Sequence, residues 1–233
     1  VTEYLGAETL RDWIDAHPKP AIKDVRAIIE QIAKGLRAFH KMEMLHQDLK
    51  PENIMLDAQG IVKIIDFGSV KIAGIAELSP IENQSDENVL GTLNYTAPEY
   101  HLGQRGTVKS DLFSLGVITY EMINGVLPFG GDMPEKPNKI NLAKMRYVPS
   151  FQHNTMVPAW IDGALKRATH ITPQTRYEEL SEFLYDLNTP NPLYLKNGNT
   201  APLMERNPVG FWKMLTALSV LLNIVLLYFN SMP

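Results

Sequence analysis

Cysteine is missing from all 233 residues, which excludes disulfides and thiolate metal sites and fits a reducing compartment. A basic excess is missing too: 22 Lys and Arg stand against 26 Asp and Glu, a formal net charge of -4. Without a basic footprint, nucleic acid is not expected as a partner. The 45% hydrophobic content is ordinary for a globular chain, and the length admits one large domain or two small ones.

Three motifs carry most of the chemistry. His46-Gln47-Asp48-Leu49-Lys50-Pro51-Glu52-Asn53 comes first, Asp66-Phe67-Gly68 follows, and Ala97-Pro98-Glu99 comes last. Taken singly each has a local explanation. Asp48 and Asn53 fit a turn, and Gly68 fits a strand exit that needs a positive φ angle. Local preference does not account for all three in this order.

Together they resemble the catalytic loop, metal-binding loop and activation-segment end of the eukaryotic-like (Hanks-type) serine/threonine protein kinases. Phosphoryl transfer needs an in-line hydroxyl, metal ions that neutralise phosphate charge, and a carboxylate that orients the hydroxyl or takes its proton. The resemblance gives Asp48 the last of these roles. It implies ATP and Mg2+ as cofactors, with Asn53 and Asp66 as the metal ligands, a set that suits a hard cation keeping several waters. Lys50 would steady the transferring phosphate, which is the serine/threonine pattern. Thr92, in Gly91-Thr92-Leu93-Asn94-Tyr95-Thr96-Ala97-Pro98-Glu99, would join the hydrogen bonds around Asp48 and Lys50. His46 is expected to pack rather than to catalyse.

The same resemblance makes Thr2-Glu3-Tyr4-Leu5 a hinge, with Thr2 as gatekeeper, backbone groups of Glu3 and Leu5 on the adenine edge, and Met55 as the floor of the adenine pocket. The expected fold class is α+β and mainly α-helical: a kinase-like C-terminal lobe, an N-terminal lobe missing ahead of Val1, and a C-terminal transmembrane helix. The missing parts include the Gly-rich loop and the strand Lys that meets the phosphates. Loss of such preorganised donors costs a few kcal/mol of transition-state stabilisation each, so the 233-residue chain is expected to be inactive alone.

Local patterns agree with a helical lobe. Residues 9 to about 16 read as a short helix closed by Pro18 and Pro20. From Ile22, apolar positions Val25, Ile28, Ile29, Ile32, Leu36 and Phe39 form a helical stripe. Residues 54–56 and 61–65 read as a hairpin that sets Asp66 opposite Asn53, while the polar stretch 79–87 reads as a mobile activation segment. Glu99 and Arg176 are expected to form a buried ion pair, and Asp111 to accept backbone hydrogen bonds from the catalytic loop. One departure matters. Gln47 stands where most relatives place Arg, and an amide lacks the charge-assisted grip on a phosphorylated activation segment.

After Asn188 the sequence reads as a Pro-, Asn- and Gly-containing linker, and 209–229 is almost continuously apolar. A run of about twenty such residues is long enough to span a bilayer. Trp212, Tyr228 and Lys213 lie where interfacial anchors would, and Lys196, Arg206 and Lys213 all precede the run. The expected organisation is therefore a truncated kinase domain over 1–188, a linker over 189–208 and a transmembrane helix over 209–229. The expected location is single-pass, in the cell inner membrane or another membrane, with the lobe in the cytoplasm. Similar tail-anchored bacterial kinases include fusions with a PP2C-like phosphatase. The expected partners are a protein substrate offering Ser or Thr and the membrane, and the alternative function is a pseudokinase scaffold.

Overall fold

Thr9 ends a strand and starts a helix. The structure is a computed structural model that describes residues 8–66, 71–72, 93–130, 138–196 and 208–230. Strand β1 (Glu8–Thr9) runs into helix α1 (Leu10–Ala16) through a capping box. Asp12 N–H donates to Thr9 Oγ1 at 3.1 Å and Thr9 N–H donates to Asp12 Oδ2 at 3.0 Å, so two orphan donors of the first turn are satisfied. Leu10 and Ile14 fill the buried side of α1.

Helix α2 (Ile22–Lys41) buries Val25, Ile28, Ile29, Ile32, Ala33 and Leu36, the stripe expected from the sequence, with Phe39 only half-buried. It leads to strand β2 (Met44–Leu45) and then to a loop that ends in a 3-10 turn, Pro51–Asn53. Next comes the expected hairpin, β3 (Ile54–Leu56) and β4 (Val62–Ile64), paired antiparallel with Ile54 opposite Ile64 and Leu56 opposite Val62. Asp57 Oδ1 accepts from Gln59 N–H and Ile61 N–H to form its turn. β1 adds to the other edge of β3, giving the order β1-β3-β4, and β5 (Lys71–Ile72) pairs with β2.

Beyond α3 (Pro98–His101) lies the centre of the fold, α4 (Val108–Asn124). Every residue of it from Ser110 to Asn124 is buried, the polar ones included. It packs between α2 and α6 (Ala159–Ala168), and Gly116 permits that approach. A Cβ there would lie 2.9 Å from Ala168 Cβ. Helices α5 (Lys139–Lys144), α7 (Leu180–Asn188) and α8 (Pro192–Lys196) complete the body, with Tyr194 of α8 partly buried against the core.

The last helix, α9 (Pro208–Asn230), corrects the membrane expectation. Among the described residues, no helix is long and apolar enough to cross a membrane. At about 100° per residue, Thr216, Ser219 and Asn223 fall on one side of α9 with Lys213 beside them, a polar stripe that a count of apolar residues overlooks. Thr216 Oγ1 and Asn223 Nδ2 turn back to the carbonyls of Trp212 and Ser219 at 2.7 and 2.8 Å. The transmembrane helix over 209–229, the single-pass location and the membrane as partner are withdrawn together. The side chain of Tyr228 lies outside the described residues. The described architecture is a mixed α/β one, helices around two small sheets, without a membrane span.

Candidate active site

The loop between β2 and β3 is held from below by one carboxylate. Asp111, in the first turn of α4 and 1% exposed, accepts from His46 N–H at 3.0 Å on Oδ2 and from Gln47 N–H at 3.1 Å on Oδ1. His40 Nε2 meets the same Oδ2 at 2.9 Å. This clamp was expected from the sequence except for His40. Gln47 takes a left-handed backbone with φ of 69°, a conformation that costs a non-glycine residue energy and that the surrounding bonds hold in place.

Asp48 follows directly. Its Oδ2 lies 3.1 Å from Lys50 Nζ and 3.1 Å from Asn53 Nδ2, and Asn53 Nδ2 also donates to the Asp48 carbonyl at 2.8 Å. Two acceptors on one side fix that side of the amide as nitrogen, which turns Asn53 Oδ1 the other way. Asn53 N–H donates to the Lys50 carbonyl at 3.0 Å, closing the 3-10 turn that Pro51 opens. The carbonyl of Asn53 accepts from Ile65 N–H at 2.9 Å, extending the hairpin ladder by one rung. Asp66 is the next residue, exposed and with φ of 61°. The ladder thus carries the two motifs to one another's side. Asp48, Lys50 and Asn53 are in contact, and Asp66 stands beside them through the backbone.

Met55 is half-buried on β3, opposite Thr9 and Lys63. Thr2, Glu3, Leu5 and Thr92 lie outside the described residues, as does the polar stretch 79–87.

Glu99 and Arg176 form the expected pair. Two parallel bonds of 2.8 Å join Arg176 Nη1 and Nη2 to Glu99 Oε1 and Oε2. Arg176 Nε donates to the His170 carbonyl, and its remaining N–H groups reach the carbonyls of Lys109 and Ile171. All five donors of the guanidinium are used, and it stacks over Phe113 at 4.7 Å. Burial pushes the Glu99 carboxyl up, but the bonds and charge of Arg176, with Ser110 Oγ at 2.6 Å, more than offset this and hold it below the usual carboxylate range.

A second polar cluster was not anticipated. Arg11 of α1 reaches Glu121 of α4 with Nη1 to Oε1 at 3.0 Å and Nη2 to Oε2 at 3.1 Å, and its Nε meets Glu52 Oε1 at 3.3 Å. Its Nη2 also donates to the Tyr95 hydroxyl, which in turn donates to Glu121 Oε2 at 2.5 Å. Burial, followed by the Glu121 charge and hydrogen bond, pushes the Tyr95 phenol well above its ordinary range. One signal for this cluster was available: Glu121 is a carboxylate deep inside the largely apolar run from Leu112 to Ile123, and such a group requires a partner.

A model of the protein kinase domain matches residues 1–192. This chain belongs to the protein kinase domain family. The family is one of enzymes, and membership of an ATP-dependent kinase family implies use of ATP with Mg2+. Among its relatives, the chain is 33% identical over 195 residues to the serine/threonine-protein kinase PrkC of Bacillus subtilis, covering 81% of this chain and 28% of that protein. It is 32% identical over 187 residues to PknB of Mycobacterium tuberculosis, covering 80% and 29%, and 32% identical over 187 residues to a probable serine/threonine-protein kinase of Clostridium perfringens, covering 80% and 26%. The chain therefore spans less than a third of the length of these curated relatives.

The match also corrects the expectation of a large lobe alone with its N-terminal lobe missing, and of tail-anchoring. The kinase domain model matches residues 1–192, nearly the whole chain, and among the described residues no helix is long and apolar enough to cross a membrane. That expectation drew on the resemblance of Thr2-Glu3-Tyr4-Leu5 to a hinge at the start of the chain, and those residues lie outside the described ones.

Proposed function

We propose that the protein carrying this kinase chain transfers the γ-phosphate of ATP to Ser or Thr hydroxyls of a protein substrate. The observation that carries the reading is the Asp48 carboxylate held between Lys50 Nζ and Asn53 Nδ2 at 3.1 Å each. Asp48 is only 22% exposed in its side chain, so it is fixed in place and still reachable from solvent. A carboxylate so placed orients the acceptor hydroxyl and receives its proton as the oxygen attacks phosphorus. Lys50 keeps positive charge beside the transferring group, and Thr92 is assigned to hydrogen-bond with both.

The donor set suits Mg2+. Asn53 Oδ1, turned away from Asp48, and the Asp66 carboxylate offer two hard oxygen ligands, the number a phosphate-bridged ion takes from protein. When bound, the ion neutralises charge on the nucleotide phosphates. Thr2, Glu3 and Leu5 are assigned to the adenine edge and Met55 to the pocket floor. We take the catalytic domain as 1–188 and the following 189–208 as the segment leading away from it, with Tyr194 docked near its start.

The test is phosphotransfer from labelled ATP to a Ser/Thr-containing protein by the whole protein. D48N is expected to bind nucleotide as before and to lose roughly 10²- to 10⁴-fold in turnover. A D48N enzyme as fast as the wild type would remove Asp48 from this role.

A further inference from the structure

We infer that the groove between α6 and α7 is a docking site for the chain's own segment Asn191–Tyr194, which clasps the outgoing chain to the kinase lobe as a releasable strap.

The seat is a missing side chain. A Cβ on Gly163 of α6 would strike Tyr194 Cβ, Cγ and Cδ1, the last at 2.7 Å, so the base of the Tyr194 ring lies where the side chain of any other residue would sit. At the hydroxyl end of the ring one buried carboxylate collects the strap. Asp186 of α7, 5% exposed, accepts from the Tyr194 hydroxyl at 2.9 Å and the Tyr177 hydroxyl at 2.7 Å on Oδ2, and from Asn191 Nδ2 at 3.1 Å on Oδ1. Arg167 of α6 hydrogen-bonds the Tyr194 hydroxyl and lies over the Tyr177 ring at 4.1 Å. The segment also orders itself. Asn191 Oδ1 accepts from Leu193 N–H at 3.0 Å and the Asn191 carbonyl from Tyr194 N–H at 3.1 Å, a local turn that presents Tyr194 to the groove.

The grip is narrow. Among the described side chains of α8, Pro192 and Leu193 are exposed, Leu193 at 68%, and Tyr194 is the one packed against the core. Undocking also strands no charge. Asp186 retains the Tyr177 hydroxyl, and an open cavity of about 400 Å³, lined by Arg167, Tyr185, Asp186 and Asn191 among others, gives water access to the carboxylate as the strap leaves. Behind the strap, Tyr177, Phe183 and Leu187 are buried in the core, so α6 and α7 hold together by packing of their own.

Hydrogen exchange of the full chain, read by mass spectrometry on peptides covering 189–196, α4 and α7, tests this. In the wild type, 189–196 should exchange at least about ten-fold slower than an unstructured peptide and at least about a hundred-fold faster than α4, because the strap opens without the lobe unfolding. Y194A should bring 189–196 to the unstructured rate and leave α4 and α7 protected. G163A should do the same by filling the seat, and since Ala favours a helix over Gly it keeps the test alive should Y194A fold poorly. Y194F keeps the ring and loses the hydroxyl bonds, so its rate should fall between. Wild-type 189–196 at the unstructured rate overturns the docking, and exchange in step with α4 overturns the release. Y194A and G163A variants that keep 189–196 protected, or that expose α7 along with it, overturn the clasp itself.

Discussion

Replacing Arg176 with Met tests the buried pair. The guanidinium has no exposed side-chain surface and Glu99 has 4%. R176M leaves the carboxylate, among the described residues, with Ser110 Oγ as a side-chain donor, and deprives the carbonyls of Lys109, His170 and Ile171 of the guanidinium's N–H groups. Breaking one side of a buried pair costs about 3–5 kcal/mol. At about 2–4 °C per kcal/mol for a domain of this size, Tm should fall by roughly 6–20 °C. E99Q should cost nearly as much, because it strands the cation instead. The double variant E99Q/R176M buries no lone charge, so it should cost less than the two singles summed, by roughly 1–3 kcal/mol. Urea unfolding at neutral pH, with midpoint and slope both fitted, measures each term. Costs that add within about 0.5 kcal/mol would refute the reasoning. Acid supplies an independent check. The Glu99 carboxyl is lowered in the folded protein, so its stabilisation is complete above the ordinary carboxylate pKa and is lost as pH falls through the lowered folded-state value. The gap between wild type and R176M should therefore narrow on acidification.

Other outcomes follow from the same geometry. D111A strands the His46 and Gln47 amides, about 1–3 kcal/mol for each buried donor, and should reduce phosphotransfer beyond the folded protein lost, as read by turnover per folded enzyme. G116A drives a methyl to 2.9 Å from Ala168 Cβ and 3.1 Å from Thr169 Cγ2, and should destabilise by about 1–3 kcal/mol in thermal unfolding; an unchanged Tm would mean the helices part freely. Phosphatase treatment of the purified protein should leave activity intact, because Gln47 offers no guanidinium to a phosphorylated activation segment; abolished activity would contradict this.

What the sequence disclosed was mostly local. Asp48, Lys50 and Asn53 lie within six residues, so one turn brings them together, and the hairpin after them shows as two short apolar runs on either side of a turn from Asp57 to Gly60. The stripe of α2 was readable because one of its faces meets water. Helix α4 has no such contrast, and periodicity says nothing about where its neighbours sit. The Arg11 cluster was hidden because its members meet only after α1, the catalytic loop and α4 have packed. In α9 the apolar count was accurate and the reading was not: four polar residues scattered in the sequence line up only once wound on a helix.

The Arg176 guanidinium has a consequence for ionic strength. With every N–H committed and no surface in water, it has no cloud of counterions to exchange, and dissolved salt has no route to weaken it. Lys109 shows the contrast within one residue. Its carbonyl serves Arg176 at 2.8 Å, while its ammonium meets Glu178, 69% exposed, at 2.7 Å. Adding salt should loosen the second contact and leave the first as it was.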